Sequence, residues 1–267
     1  MFELQYVVIG LVQGITEFLP ISSSGHLVLI SKISNWDDQG LFTDIAVHGG
    51  TLIAVLVYLR REIIKILYNL FQQKLFNDVI IFKIILATLP AIIAGFFIFN
   101  FFGDYFRNLK VVAWASIIFG VLLYFADNKN TSKLIWSEMR FKDALIVGLF
   151  QILAFIPGAS RAGITITGAR FLGFDRTNAA IFSMLLSIPI ILASLTLSIF
   201  DVISDPVNNT NMLQSFFAAI VACITALLSI QFMMKLIQKT NFNLFIIYRI
   251  ILGFILLFFY VKNFRCL

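Results

Sequence analysis

The chain has 267 residues, of which 60% are hydrophobic and only 13% charged, and it carries 30 Phe. That is more apolar bulk than one soluble core can enclose, and it predicts an integral membrane protein. The net charge of +6 does not indicate nucleic acid as a partner, because the basic residues lie in short loops beside apolar stretches, not on one polar face. Cys223 falls within an apolar stretch and Cys266 next to the end, which leaves no pair that suggests a disulfide framework or a C-x-x-C metal site. Met1-Phe2-Glu3 has no basic n-region and no small-residue cleavage site, so the first segment is expected to be retained.

From Gln5 to Leu19 the pattern is helical. At about 1.5 Å per residue such a helix reaches only roughly 22 Å, short of a hydrocarbon core of roughly 30 Å. It must enter the bilayer and turn back, at Pro20, which is expected to occupy the first position of a second short helix. Six apolar stretches then read as spans, at about 44–60, 80–102, 110–126, 177–200, 212–236 and 244–262, with the intervening segments, including 61–79 and 127–142, as loops. Pro90 and Pro189 fall on non-equivalent spans and carry no weight here.

A second interrupted region, 143–170, lies between the third and fourth spans and breaks at Pro157-Gly158-Ala159-Ser160-Arg161-Ala162-Gly163. At an offset of 138 residues, Gly10, Leu11, Gln13, Ser22 and Gly25 match Gly148, Leu149, Gln151, Ser160 and Gly163. The expected fold is therefore an all-α polytopic membrane protein, a single membrane domain over 1–267. It would have six transmembrane helices and two re-entrant helix pairs, repeated in halves of about 1–127 and 141–267. Three spans per half is an odd number, so the second half must be inverted, and the two breaks can meet near the midplane. Twelve Lys and Arg fall in one set of alternate loops, with Arg170 and Arg176 among them, and five in the other. By the positive-inside rule both termini and the loop 201–211 face outward.

Ionisable groups inside a bilayer are functional candidates by default, and here they are Glu17, His26, Asp44, His48, Arg161 and Arg249. Gln13 and Glu17, four apart, share a helix face. Helix N-termini and the planar donors of Arg161 favour a phosphate-type anion. Glu17 beside that anion calls for a divalent cation, and Gln13 can complete its shell, since such ions take one or two carboxylates with substrate oxygens and water. A structural Glu17–Arg161 ion pair is the plainer alternative. Ser23 and His26 have the residue types of a nucleophile and its acid/base partner, although Ser22, Ser23 and Ser24 also suit helix capping. His48, four from Asp44, reads as a packing histidine more readily than a catalytic one. Arg249 reads as a snorkelling residue near the end of the last span, and Gly10 and Gly14 as a small-residue pair for close helix approach.

These motifs resemble the integral-membrane undecaprenyl-diphosphate phosphatases, the bacitracin-resistance protein family. Gln13 to His26 fits its first motif throughout, and Pro157 to Gly163 fits its second except that Ala162 replaces a Ser. The resemblance implies hydrolysis of undecaprenyl diphosphate to the monophosphate and inorganic phosphate, recycling the lipid carrier of peptidoglycan synthesis in the bacterial inner membrane. It implies Glu17 with Gln13 as the side of the site that holds a divalent cation (Mg²⁺ or Ca²⁺), Ser23 as nucleophile, His26 as acid/base and Arg161 as the clamp on the transferred phosphate. Ser22 and Ser160 become further phosphate contacts, and His26 remains open as an alternative phosphoryl acceptor. The partners implied are the polyprenyl diphosphate substrate and membrane lipids, with a homodimer left open, and the site is expected to open to the periplasmic side. The rival is a secondary transporter or flippase for an anionic polyprenyl lipid, which shares broken helices and inverted repeats but has no evident use for Ser23 and His26 beside Glu17.

Overall fold

The computed structural model describes residues 3–34, 36, 40–71, 80–102, 108–129, 135–204 and 212–264. Among these the regular structure is entirely helical. In chain order the helices are α1 Leu4–Thr16, α2 Ser23–Ser34, α3 Gly40–Tyr58, α4 Arg60–Phe71, α5 Ile80–Phe102 and α6 Leu109–Asp127. They continue with α7 Phe141–Ile152, α8 Arg161–Phe171, α9 Arg176–Ser204, α10 Met212–Lys239 and α11 Asn243–Phe264. Single 3₁₀ turns occupy Trp136–Glu138 and Leu153–Phe155. Six helices, α3, α5, α6, α9, α10 and α11, are long and apolar enough to cross a membrane. These are the six stretches expected. Phe96, Phe125, Phe216 and Phe258 are each at least 60% exposed, an outer surface that suits lipid and not water. The protein is a multi-pass membrane protein.

Three expectations change. The first helix ends at Thr16, and residues 17–21 form turns. Pro20 does not open the second helix but lies in the turns before α2, as Pro157 lies in those before α8. A serine stands at each start instead, and a hydroxyl can accept an otherwise orphaned N–H, which a proline ring cannot do. Ser22 Oγ accepts from the Gly25 N–H at 3.4 Å and Ser160 Oγ from the Gly163 N–H at 3.1 Å. Finally, the segment expected as loop 61–79 begins with the helix α4, whose apolar Ile66 is buried while Ile64, Leu67 and Tyr68 are exposed. Its many charges suppressed the hydropathy signal on which the loop was read. Residues 72–79, the rest of that loop, residues 130–134 and 205–211, parts of other expected loops, and Cys266 lie outside the described residues.

The two halves interleave. α1 packs on α10 and α7 packs on α5, while α3 packs on α10 and α9 on α5. Under the 138-residue offset, α1 corresponds to α7, α3 to α9 and α5 to α10, so each contact has its counterpart with the halves exchanged. Glycine makes the approaches possible. A Cβ at Gly10 would lie 2.6 Å from the Ala218 carbonyl oxygen, and one at the matching Gly148 2.4 Å from that of Ala87. At Gly14 it would lie 1.9 Å from Thr225 Oγ1, which bears out the small-residue reading of Gly10 and Gly14.

At one end of the bundle Asp127 gathers several elements. Its Oδ1 lies 2.8 Å from Arg176 Nε and 3.2 Å from Arg170 Nε, and its Oδ2 accepts from the Phe242 N–H at 3.1 Å. Arg170 belongs to α8 and is 2% exposed. It is a buried partner of Asp127, not the loop cation counted from the sequence.

Candidate functional site

Each break sets a serine in an unusual backbone conformation. Ser22 has φ 74° and Ser160 φ 68°, the only non-glycine residues with positive φ among those described. Such conformations cost of order 1–3 kcal/mol and persist where the surroundings impose them. At both breaks they reverse the chain so that the next residue, Ser23 or Arg161, opens a helix at the same polar point.

That point is Glu17. Its Oε2 accepts from Gln13 Nε2 at 3.0 Å and from Ser23 Oγ at 2.9 Å, and its Oε1 accepts from Arg161 Nη2 at 2.8 Å. The two halves of the chain thus meet in one carboxylate. Its side chain is 8% exposed and that of Arg161 14%, so the pair is removed from water and each partner depends on the other. The Arg161 guanidinium also lies over the Phe18 ring, 5.9 Å from its centroid, a cation–π arrangement.

A cavity of about 220 Å³ adjoins this cluster, lined by Glu17, Ser22, Ser23, Ser160 and Arg161 and closed by apolar residues of α5 and α9, including Ala91, Ile190 and Ile191. Five of the seven site residues expected from the sequence therefore face one space. Gln13 stands behind it, fully buried, and acts through Glu17. His26 does not line the cavity. Its Nδ1–H donates to the Ser22 carbonyl at 2.7 Å, which leaves Nε2 to accept from the Tyr248 hydroxyl, with the two rings nearly parallel. The hydroxyl of Ser23 is turned to a carboxylate, not to an imidazole. His26 holds the strained Ser22 turn and, through Tyr248, ties it to α11.

Other residues read differently in three dimensions. His48 lines the cavity on α3. Its Nδ1–H donates to the Asp44 carbonyl at 2.7 Å, fixing the tautomer with Nε2 as the acceptor nitrogen. Arg249 does not snorkel: it is 0% exposed, and its Nη2 donates to the carbonyls of Gly158 at 2.9 Å and Ala159 at 2.7 Å. It braces the turn that delivers Ser160 and Arg161, and Gly163 gives it room, since a Cβ there would sit 2.7 Å from Arg249 Nη1. The Tyr248–Arg249 dipeptide thereby reaches both breaks from one helix. Pro90 and Pro189 each precede a cavity-lining residue, Ala91 and Ile190, at the places where a helix loses a backbone hydrogen bond.

No group of three or more His, Cys, Asp or Glu side chains able to hold a metal ion occurs among the described residues. A centre built wholly from such ligands is thus not formed there. Glu17 is one carboxylate, and beside it the buried Oε1 of Gln13 has no hydrogen-bond partner among the described residues. Of the two, only Glu17 lines the cavity and the Gln13 oxygen lies behind it; by donor type, one carboxylate and one amide oxygen suit a hard cation that completes its shell with substrate oxygens and water.

The fold and this cluster define a class of multi-pass membrane protein that gathers a carboxylate, a serine hydroxyl and a guanidinium at two helix breaks among its spans. Residues 6–255 match the family model described as Bacitracin resistance protein BacA. The chain is 43% identical over 260 residues to a protein of Campylobacter concisus named undecaprenyl-diphosphatase, covering 96% of this chain and 98% of the relative. It is 42% identical over 254 residues to one of the same name from Saccharophagus degradans (94% and 95% covered) and 40% over 263 residues to one from Ruegeria sp. (96% and 97%). The chain belongs to the bacitracin resistance protein BacA family.

Proposed function

We propose that the protein hydrolyses undecaprenyl diphosphate to undecaprenyl phosphate and inorganic phosphate, recycling the lipid carrier for peptidoglycan synthesis and conferring bacitracin resistance. The observation that carries this is the single carboxylate of Glu17 held between the Ser23 hydroxyl and the Arg161 guanidinium. A Ser–carboxylate hydrogen bond readies a nucleophile, and a fixed guanidinium suits a transferring phosphoryl group.

Ser23 Oγ gives its proton to Glu17 Oε2 and forms a bond to the terminal phosphorus, while the bond from that phosphorus to the bridging oxygen breaks and undecaprenyl phosphate leaves. Water then attacks the phosphoserine, its oxygen bonding to phosphorus as the bond from Ser23 Oγ to phosphorus breaks; the proton held on Glu17 Oε2 returns to Ser23 Oγ, and the product, keeping the protons of the water, leaves as inorganic phosphate. Arg161 spends one nitrogen on Glu17 and directs its remaining donors at the phosphoryl oxygens. Ser22 and Ser160 line the space around them, and His26 positions the first turn. Glu17 and Gln13 would hold a divalent cation, Mg²⁺ or Ca²⁺, which when bound neutralises diphosphate charge next to the carboxylate.

In this reading the breaks are re-entrant pairs of an inverted repeat, supported by the matching serine turns and the exchanged packing partners. The protein sits in the bacterial inner membrane with the site opening to the periplasm, as the family resemblance implies; the excess of Lys and Arg in one set of loops supports the orientation of the spans alone. The polyprenyl tail stays among lipids while the headgroup enters, and a homodimer is compatible with the exposed apolar surface. Purified protein in detergent, given undecaprenyl or farnesyl diphosphate, should release phosphate. Release should stop with a chelator and return with Mg²⁺ or Ca²⁺. No release from either substrate with metal present refutes the activity, and full turnover after exhaustive chelation refutes the cation.

A further inference from the structure

Gln151, on α7, is 2% exposed and lines the cavity with Glu17, Ser160 and Arg161. Neither its Oε1 nor its Nε2 has a hydrogen-bond partner among the described residues. A buried amide left so is destabilising, each unmade bond costing on the order of 1–3 kcal/mol, and such a group requires an explanation. Packing alone supplies none, since a leucine would fill a similar volume without the penalty.

The internal repeat indicates what the amide is for. Its counterpart at the 138-residue offset is Gln13, whose Nε2 donates to an anionic oxygen, that of Glu17 one turn on, at 3.0 Å. One turn on from Gln151 the counterpart of Glu17 is Phe155, which also lines the cavity. The second half thus keeps the amide donor and lacks its anion. The same wall carries Ser160 and the guanidinium of Arg161 at the start of α8. An ionised phosphate offers acceptors and no donors, so it can use the Nε2 side of the amide.

We propose that Gln151 is a substrate-binding residue whose Nε2 donates to a phosphate oxygen of the diphosphate headgroup, supplying from the second half the contact that Gln13 makes to Glu17 in the first. The assignment rests on the phosphatase reading of the site. Because the phosphate oxygen stays anionic throughout the reaction, loss of the bond should appear mainly in KM. A hydrogen bond to a charged group is worth about 10- to 100-fold in affinity.

The test compares Gln151→Leu and Gln151→Glu with the wild-type protein in detergent, reading KM and kcat for undecaprenyl diphosphate and thermal stability without substrate. Gln151→Leu should raise KM by about 10- to 100-fold with kcat little changed, and should melt no lower than wild type because it removes an orphaned amide. Gln151→Glu should raise KM further than leucine does, by setting a carboxylate against the phosphate. An unchanged KM in Gln151→Leu overturns the proposal, as does a lower melting temperature accompanying its lost activity, which marks a structural residue. Better function in Gln151→Glu than in Gln151→Leu also overturns it, because the amide then faces a cation or a donor. An inert wild-type protein in the same assay is a different failure, and it defeats the phosphatase reading itself along with this contact.

Discussion

Replacing Arg161 by lysine separates charge from geometry at the point where the two halves meet. Arg161 Nη2 bonds Glu17 Oε1 at 2.8 Å, and no hydrogen bond to a described residue engages Nη1 or Nε. The guanidinium lies over the Phe18 ring and Arg161 lines the cavity, so the donors not spent on Glu17 are those left for a ligand there. A lysine at this position retains a cation for Glu17 but offers a single ammonium in place of the planar pair of nitrogens. Truncation to methionine is less informative. Glu17, with its side chain 8% exposed, would be left buried without its partner, a loss of about 3–5 kcal/mol that threatens folding. Arg161→Lys avoids that loss and removes the preorganised donors, which corresponds to a fall in kcat of about 10²- to 10³-fold. Phosphate release from undecaprenyl diphosphate, followed as kcat and KM, measures it, with the melting temperature in detergent as the control for folding. A kcat within about threefold of wild type would show that charge alone suffices and that the fork takes no part.

Ser23→Ala leaves the clamp and the carboxylate in place, so it should bind substrate and fail to turn it over, and acid quench of the wild-type protein should trap phosphoserine. Near-normal turnover in Ser23→Ala with a phosphohistidine at His26 would make His26 the nucleophile instead. Arg249→Met removes the donors to the Gly158 and Ala159 carbonyls, and the loosened turn should lower kcat by about 10²-fold, the scale of a 1 Å misplacement of catalytic groups. A kcat equal to wild type would show that the turn holds its shape unaided. In a background lacking Cys223 and Cys266, an impermeant thiol reagent on intact cells should label Lys110→Cys and spare Asn128→Cys, at opposite ends of α6; the reverse pattern would invert the topology.

All six spans could be read from the sequence, because a hydrophobic stretch long enough to cross a bilayer needs no tertiary partner to be recognised. The two breaks were equally plain, since Pro20 and Pro157 interrupt apolar runs and the motifs recur at a fixed offset. Gln13 and Glu17 could be paired from spacing alone, because four residues is one helical turn. What spacing does not encode is the direction of a side chain that another element must meet. His26 sits three residues from Ser23, yet its ring is committed to Tyr248 on α11, and the hydroxyl of Ser23 goes to Glu17 across the turn. Arg249 looked like a residue reaching for water because its distance from the end of a helix says nothing of what packs beside it. In the fold α11 lies against α6 and the second break, where two backbone carbonyls take the guanidinium. His48 and Gln151 entered the site the same way. Both lie on helices whose cavity-facing side is set by packing between the halves, and that packing exists only once the chain has folded.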